Sequence, residues 1–416
     1  MVAGSVAATS YRSPYAKDRR AFSAPYNGPV IDVAIVGGGP AGLLAATRLA
    51  ESGLDVLLFE EHAKVGEPTH CTGIVSLETA EYAKIPDDLV LGRLQRARLV
   101  GPAGAEASHV WTAAGGEAIL AMDRAAFDQG LARQAMEAGA VLSPGTAVTN
   151  VEVAEDGVSV ETLAGTLRAR ACVLACGVSY RFQRTLGLGL PGAAIHTAQT
   201  EVDATPDDVV EVHFGRAVAP SGFVWTVPVT RDGRTRLKVG VMATGNAGAY
   251  LERFLRRPDV EARLLAPAPP PVRRLLPLRP IARTVTERVL VVGDAGGFTK
   301  PTTGGGIFYS LLTASLAAET LIEGFNAGRL DEAFLARYEE RWQQRLGNEL
   351  RVGDWLRQLV TRCTDDEIER LVGALASQEA QALVQRTARF NWHRDLIVAL
   401  ARHPSVAALL FRTLFR

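Results

Sequence analysis

The run Ile31-Asp-Val-Ala-Ile-Val36, followed at once by Gly37-Gly38-Gly39-Pro40-Ala41-Gly42, restricts this chain more than any other segment. A short, apolar, β-branched run reads as a buried parallel strand. Leu43–Ser52 carry helical spacing and stop at Gly53, and Val56–Phe59 form a second strand ending at Glu60. Together they make a βαβ unit within about 30 residues. Gly37 permits the tight turn, Gly39 lets the backbone approach a pyrophosphate, and Gly42 allows close helix–strand packing. The helix opens at Pro40 and Ala41, and its free N–H groups and positive dipole end favour phosphate. Glu60, with Glu61 beside it, stands where a ribose is met. The bland alternative is a glycine turn with no ligand.

This loop alone does not separate FAD from NAD. A second segment does: Val289-Leu-Val-Val-Gly293-Asp294-Ala-Gly-Gly297, then Pro301 and Gly304-Gly305-Gly306-Ile307. A strand delivers Asp294, which can bond a ribityl hydroxyl. The glycine run then opens a second helix whose N-terminus can face the flavin N1/C2=O edge. Negative charge develops there on reduction, and a helix N-terminus stabilises it. FAD is the expected cofactor, and no metal is expected.

Between the two segments the pattern alternates. Ala118–Met122 read as a strand, with Asp123 capping a helix over Arg124–Ala138. Val148–Val153 and Gly157–Glu161 read as a hairpin, as do Phe223–Val229 and Thr235–Val241, joined through Arg231-Asp232-Gly233-Arg234. Pro267, Pro269, Pro270 and Pro271 forbid a helix there. The expected fold class is α/β, with a Rossmann-like FAD-binding domain, an inserted β-rich substrate domain and a C-terminal helical region. The domain limits are 1–29 for a disordered tail, 30–190 plus 278–328 for a discontinuous FAD domain, 191–277 for an antiparallel β domain, and 329–416 for helices.

The pairing of GGGPAG with GDAGGxxxPxxGGGI resembles the flavoprotein superfamily containing para-hydroxybenzoate hydroxylase. Three features resemble its geranylgeranyl reductase family. Gly296-Gly297 stand where hydroxylases carry Ala-His. Glu67-Pro-Thr-His70-Cys71-Thr-Gly-Ile74 is similar to the family's Cys-x-Gly segment. Pro220-Ser-Gly-Phe223-Val-Trp225-Thr-Val-Pro228 is similar to its aromatic-x-Trp-x-Phe-Pro motif. The chain departs from the pattern at Val227, Val229 and Cys176, the last replacing the acid of the superfamily's Ala-Asp-Gly.

The resemblance implies that Arg124 contacts FAD, that Cys71 and His70 stand near the flavin as catalytic candidates, and that Phe223, Trp225 and Pro228 line the substrate cavity. From the residues alone, Arg124 and Asp128 form an exposed i,i+4 pair, Cys71 is a small buried apolar group, and Phe223 and Trp225 are sheet core. Cys172 and Cys176 read as core residues.

The resemblance also implies a reductase of C=C bonds in an isoprenoid lipid, quinone or chlorophyll-like substrate. NAD(P)H would be its transient donor, or a ferredoxin-type protein. The alternatives are a flavin monooxygenase or halogenase, a dehydrogenase donating to quinone, and a non-catalytic flavin module. Lys and Arg total 45 against 45 Asp and Glu, so no bulk charge draws the chain to nucleic acid. Four scattered cysteines form neither a disulfide framework nor a cluster site, which fits the cytoplasm. The apolar stretch Val406–Phe415 offers a peripheral membrane contact, a closure of the substrate tunnel or a packed terminal helix.

Overall fold

The computed structural model describes residues 30–110 and 119–408. The expected N-terminal tail and the end of the apolar C-terminal stretch lie outside them.

In the first half of the chain, β1 (Ile31–Val36), α1 (Pro40–Glu51) and β2 (Val56–Glu60) are followed by β3 (Arg96–Val100) and β4 (Glu106–Val110). Then come α2 (Arg124–Glu137), β5 (Val141–Pro144), β6 (Gly165–Leu174), β7 (Ala194–Asp203) and β8 (Val209–His213). The second half holds β9 (Phe223–Arg231), β10 (Arg234–Ala243), β11 (Val272–Pro277), β12 (Val285–Thr286) and β13 (Val289–Val291). Five helices follow: α3 (Ile307–Ala327), α4 (Glu332–Arg362), α5 (Asp365–Leu375), α6 (Gln378–Thr387) and α7 (Arg394–Ala401).

The first sheet runs β12-β13-β6-β1-β2-β5, parallel from β13 to β5. The hairpin Val148–Ala154/Gly157–Thr162 joins it beside β6. β1 is buried at five of its six residues, as an all-apolar strand covered on both faces must be. Helices α1 and α3 pack on one face, and α3 is buried along most of its length. A two-sided core follows, because the sheet separates two apolar clusters.

The second sheet runs β11-β7-β10-β9-β8-β3-β4 and is antiparallel except at β8–β3. Its central hairpin turns on Asp232 and Gly233, both with positive φ (53° and 71°), so Arg231 and Arg234 belong to the strands. β3 and β4 come from chain that the sequence reading places in the FAD domain. They add to the edge of this sheet through pairing over more than 100 residues, which no local pattern announces. A small sheet of Ile74–Ser76, Ile119–Met122 and Val90–Leu94 is built from segments that flank β3 and β4 in sequence, and Cys71 and Thr72 lie just before its first strand.

Candidate active site

The dinucleotide loop is shaped by two backbone constraints. Gly37 has φ of 113°, and a Cβ on it would fall 2.3 Å from the Ala175 carbonyl oxygen. A Cβ on Gly42 would fall 2.0 Å from the Gly37 carbonyl oxygen. Gly39 differs: nothing lies within 4 Å of its Cβ position. It is the N-cap of α1, and no side chain caps the helix. Pro40 supplies the first helical residue without a spare N–H. The helix end is thus left with unsatisfied donors facing open space, the cradle a pyrophosphate fills. At the end of β2, Glu60 accepts from the Gly38 N–H (2.7 Å) and the His62 N–H (2.9 Å), which aims its carboxylate over the loop. Glu61 lies exposed at the same rim.

The second half of the site comes from β13. Gly293 has φ of 60°, and a Cβ on Gly306 would meet an Asp294 carboxylate oxygen at 2.9 Å. Gly305 and Gly306 lead into α3 at Ile307, and again no side chain caps the helix. Two helix N-termini therefore open on one cavity. Burial pushes the Asp294 carboxyl up to about 6, with Arg124 opposing. Among the described residues no donor bonds that carboxylate, which suits a ribityl hydroxyl.

A raised acid pKa means that ionised Asp294 costs the apo fold stability. By linkage the cost is about 3 kcal/mol above pH 6 and vanishes as pH falls toward 4. Asp294→Asn is expected to raise apo stability in urea at pH 8 and not at pH 4, while weakening FAD binding. Equal stability of the two proteins at pH 8 would refute this.

Arg124 does form the i,i+4 pair with Asp128, at 2.9–3.2 Å, but the pair is buried on the cavity wall rather than exposed. Cys71 lies against the Arg124 guanidinium and faces the cavity. His70, also on the wall, meets Arg274 at 3.3 Å. The residue is exposed at the rim, yet partial desolvation there, with the Arg274 and Arg124 charges nearby, lowers it to about 4, so at neutral pH it is an uncharged imidazole.

Thr72 is tied down from three sides. Trp225 Nε1 donates to its hydroxyl at 2.9 Å, the hydroxyl donates to Gln199 Oε1 at 3.1 Å, and Lys238 Nζ donates to its carbonyl at 2.8 Å. The indole lies across Gly240, its register partner on β10, where a Cβ would fall 2.1 Å from the ring. Phe223 packs edge-on to Trp225 with centroids 5.9 Å apart. Phe223 and Trp225 face the cavity as strand alternation requires. Pro228 does not: the same alternation turns it to the opposite face of β9, where it is buried opposite Leu237. Cys172 is core, whereas Cys176 lines the cavity, its thiol pushed up to about 11 by burial.

The cavity measures about 1740 Å³. One end is the dinucleotide site. The other runs between the second sheet, at Leu99, Ala107, Val212 and Phe223, and the C-terminal helices, at Val360, Leu371, Val384, Ile397 and Leu400. Sequence reasoning gave the tail few functional residues, yet α5, α6 and α7 form this wall. It also missed Lys238, Gly240 and Lys300. A glycine in a strand facing a tryptophan across a hairpin was the signal for Gly240.

Two uncapped helix N-termini at glycine turns, an acid at the end of each partner strand and a long apolar bore define an FAD-dependent oxidoreductase built for an extended apolar substrate. A family model described as lycopene cyclase protein matches residues 32–354. Digeranylgeranylglycerophospholipid reductase 2 of Methanothermobacter thermautotrophicus is 30% identical over 85% of this chain and 93% of its own. The reductase of Methanosphaerula palustris with the same name, without the number, is 30% identical over 82% and 88%. Among solved structures, a geranylgeranyl bacteriochlorophyll reductase-like protein from Thermoplasma acidophilum superposes with a TM-score of 0.81 at 23% identity, covering 92% of this chain and 99% of its own. A p-nitrophenol 4-monooxygenase from Pseudomonas putida shares the fold at a TM-score of 0.69 and 18% identity, covering 86% and 97%. The chain belongs to the geranylgeranyl reductase family of FAD-dependent flavoproteins.

Proposed function

We propose that this protein hydrogenates carbon–carbon double bonds of a geranylgeranyl-type chain carried on a lipid. The observation that carries the reading is the continuity of one cavity from the glycine loops to the apolar bore. FAD, when bound and reduced, supplies a hydride to one alkene carbon. The chain supplies the rest. The backbone donors at Gly39 and Gly306 hold the cofactor, Glu60 and Asp294 take its ribose and ribityl hydroxyls, and Arg124 contacts it beside Cys71.

An isolated alkene offers no charge to polarise. Orientation and exclusion of water must do the work, and the wall from Trp225 to Ile397 provides both. The second alkene carbon takes a proton. We assign its delivery to Cys71, or to a water that Cys71 positions, rather than to the uncharged His70. Electrons come from NAD(P)H, or from a ferredoxin-type protein, in a passing encounter. Among the described residues no helix is long and apolar enough to cross a membrane. Its place is the cytoplasm, at the membrane surface where such lipids reside.

The test is anaerobic. Flavin is reduced, a geranylgeranylated lipid is added, and the product is weighed. A gain of two hydrogens per double bond supports the reading. Addition of oxygen, or turnover only in air, indicates a monooxygenase. An unchanged mass with a new ring supports the chemistry in the name of the matching family model. Cys71→Ala is expected to lower kcat about 100-fold, the usual scale for loss of a positioned acid. Full turnover in that variant removes Cys71 from the mechanism.

A further inference from the structure

Arg357 has no part in the account above, yet it lines the cavity where the flavin half and the apolar bore meet. It lies on α4 one turn after Gly353, on the same face. A Cβ on Gly353 would fall 3.3 Å from Pro301 Cδ, so this face of the helix rests on the loop that leads to Gly304–Gly306. The guanidinium spans two segments. Its Nη1 donates to the Pro301 carbonyl at 3.2 Å and lies 3.8 Å from Met242 Sδ, and its Nη2 donates to the Ser221 carbonyl at 2.8 Å. Pro301 belongs to the second glycine segment. Ser221 leads into β9, which carries Phe223 and Trp225, and Met242 is the register partner of Phe223 on β10. Met242 also reaches the glycine run, where a Cβ on Gly304 would fall 2.7 Å from its Cε.

The turn before β9 needs holding. Ser221 has φ of 59°, a left-handed conformation uncommon for a residue with a side chain, and such strain persists only where the surroundings fix it. Gly222 is pressed onto β10: a Cβ on it would fall 1.8 Å from the Met242 carbonyl oxygen. A planar guanidinium suits this place better than an ammonium, because its donors point in fixed directions from one rigid fork. We infer that Arg357 is a positioning residue whose fork fixes the gap between the second glycine segment and the Phe223–Trp225 wall. It thereby sets how close an alkene seated on that wall comes to the flavin. It acts through the Pro301 and Ser221 carbonyls rather than on the reacting atoms. The inference deepens the reductase reading and rests on it.

The experiment compares wild type with Arg357→Lys and Arg357→Ala. Without substrate, hydrogen exchange is read at the Gly222, Thr244 and Gly304 amides, which donate to the Ala219, Pro220 and Lys300 carbonyls. Both variants are expected to speed exchange about tenfold on the two segments together, and not at the Asp232-Gly233 turn. With reduced FAD bound, anaerobic reoxidation by a saturating geranylgeranylated lipid is expected to slow about 100-fold, while KM and FAD affinity hold. Guanidinium ion is expected to restore the rate in Arg357→Ala, whose vacated space opens on the cavity, and not in Arg357→Lys. Exchange raised on one segment only overturns the proposal, as does wild-type turnover in Arg357→Ala. Equal recovery with guanidinium in both variants, or recovery in neither, marks a packing effect and overturns it too. If Arg357→Ala does not fold, Arg357→Lys carries the exchange and turnover readings. A wild type that leaves the lipid unreduced sinks the reductase reading, and the exchange data then decide by themselves whether the bridge holds the two segments.

Discussion

Gly42→Val is expected to yield a folded protein that purifies without flavin, with FAD affinity reduced at least about 100-fold, or about 3 kcal/mol. The first atom added at Gly42 falls 2.0 Å from the Gly37 carbonyl oxygen and 3.2 Å from the Ala175 Cβ. The nearest of these is backbone, and it belongs to the turn between β1 and α1. That turn can give way only by moving the helix N-terminus that receives the pyrophosphate. Overpacking of this kind costs about 1–3 kcal/mol in stability. The greater loss falls on the ligand, because the donors no longer point where its oxygens lie. The ratio of flavin to protein absorbance reads the outcome directly. Wild-type flavin content in the valine variant would mean that the loop tolerates the shift and that the close helix–strand approach is not what shapes the site.

Gly240→Val is expected to do the opposite: it keeps FAD and loses turnover by at least about 100-fold, which is about 2.7 kcal/mol of barrier. Its Cβ would sit inside the Trp225 ring, 2.1 Å from Cζ2. The indole must leave, and its hydrogen bond to Thr72 goes with it. Thr72, which follows Cys71 directly, loses one of its three tethers, and the bore loses part of its wall. Trp225→Phe separates the two effects, since it keeps the wall and removes only the N–H donor. A Gly240→Val enzyme with ordinary kcat and KM would show that neither the tether nor the indole position matters.

The flavin half of the site is legible because each of its demands is local. A positive φ, a backbone approach and a helix end must be met within a few residues, and Gly37–Gly42 and Gly293–Ile307 meet them in order. The Asp232-Gly233 turn is legible for the same reason. What lies opposite is not. Helices α5, α6 and α7 show apolar spacing that any packed helix would show, and nothing in it states that their partner is a cavity rather than a core. β3 joins the second sheet by parallel pairing with a strand far along the chain, and β4 follows it as a local hairpin partner at the edge. Arg124–Asp128 has the spacing of a surface pair, and the packing of the Cys71–Gly73 segment against Arg124 helps make it a buried one. Lys238 and Lys300 are lysines in polar-looking contexts whose burial depends on residues 72, 390 and 391. Pro228 shows the limit of reading by motif: it lies three and five places after residues that reach the cavity, and an odd separation along a strand turns it to the opposite face, opposite Leu237.

The order of strands in the first sheet also bears on how the protein is made. β6 is flanked by β1 and by β13, and β13 leads into the second glycine loop. Gly293 leaves the ribosome about 250 residues after Gly42, at ordinary translation rates roughly 10–50 s later. Until then β6, at its Cys172–Leu174 end, has an edge that lacks its parallel partner, and the cofactor has only half a binding site to hold. FAD therefore cannot template the early folding of this chain. Newly made protein must keep that edge shielded by other means, and a message truncated before Gly293 yields a product that no supply of riboflavin will rescue.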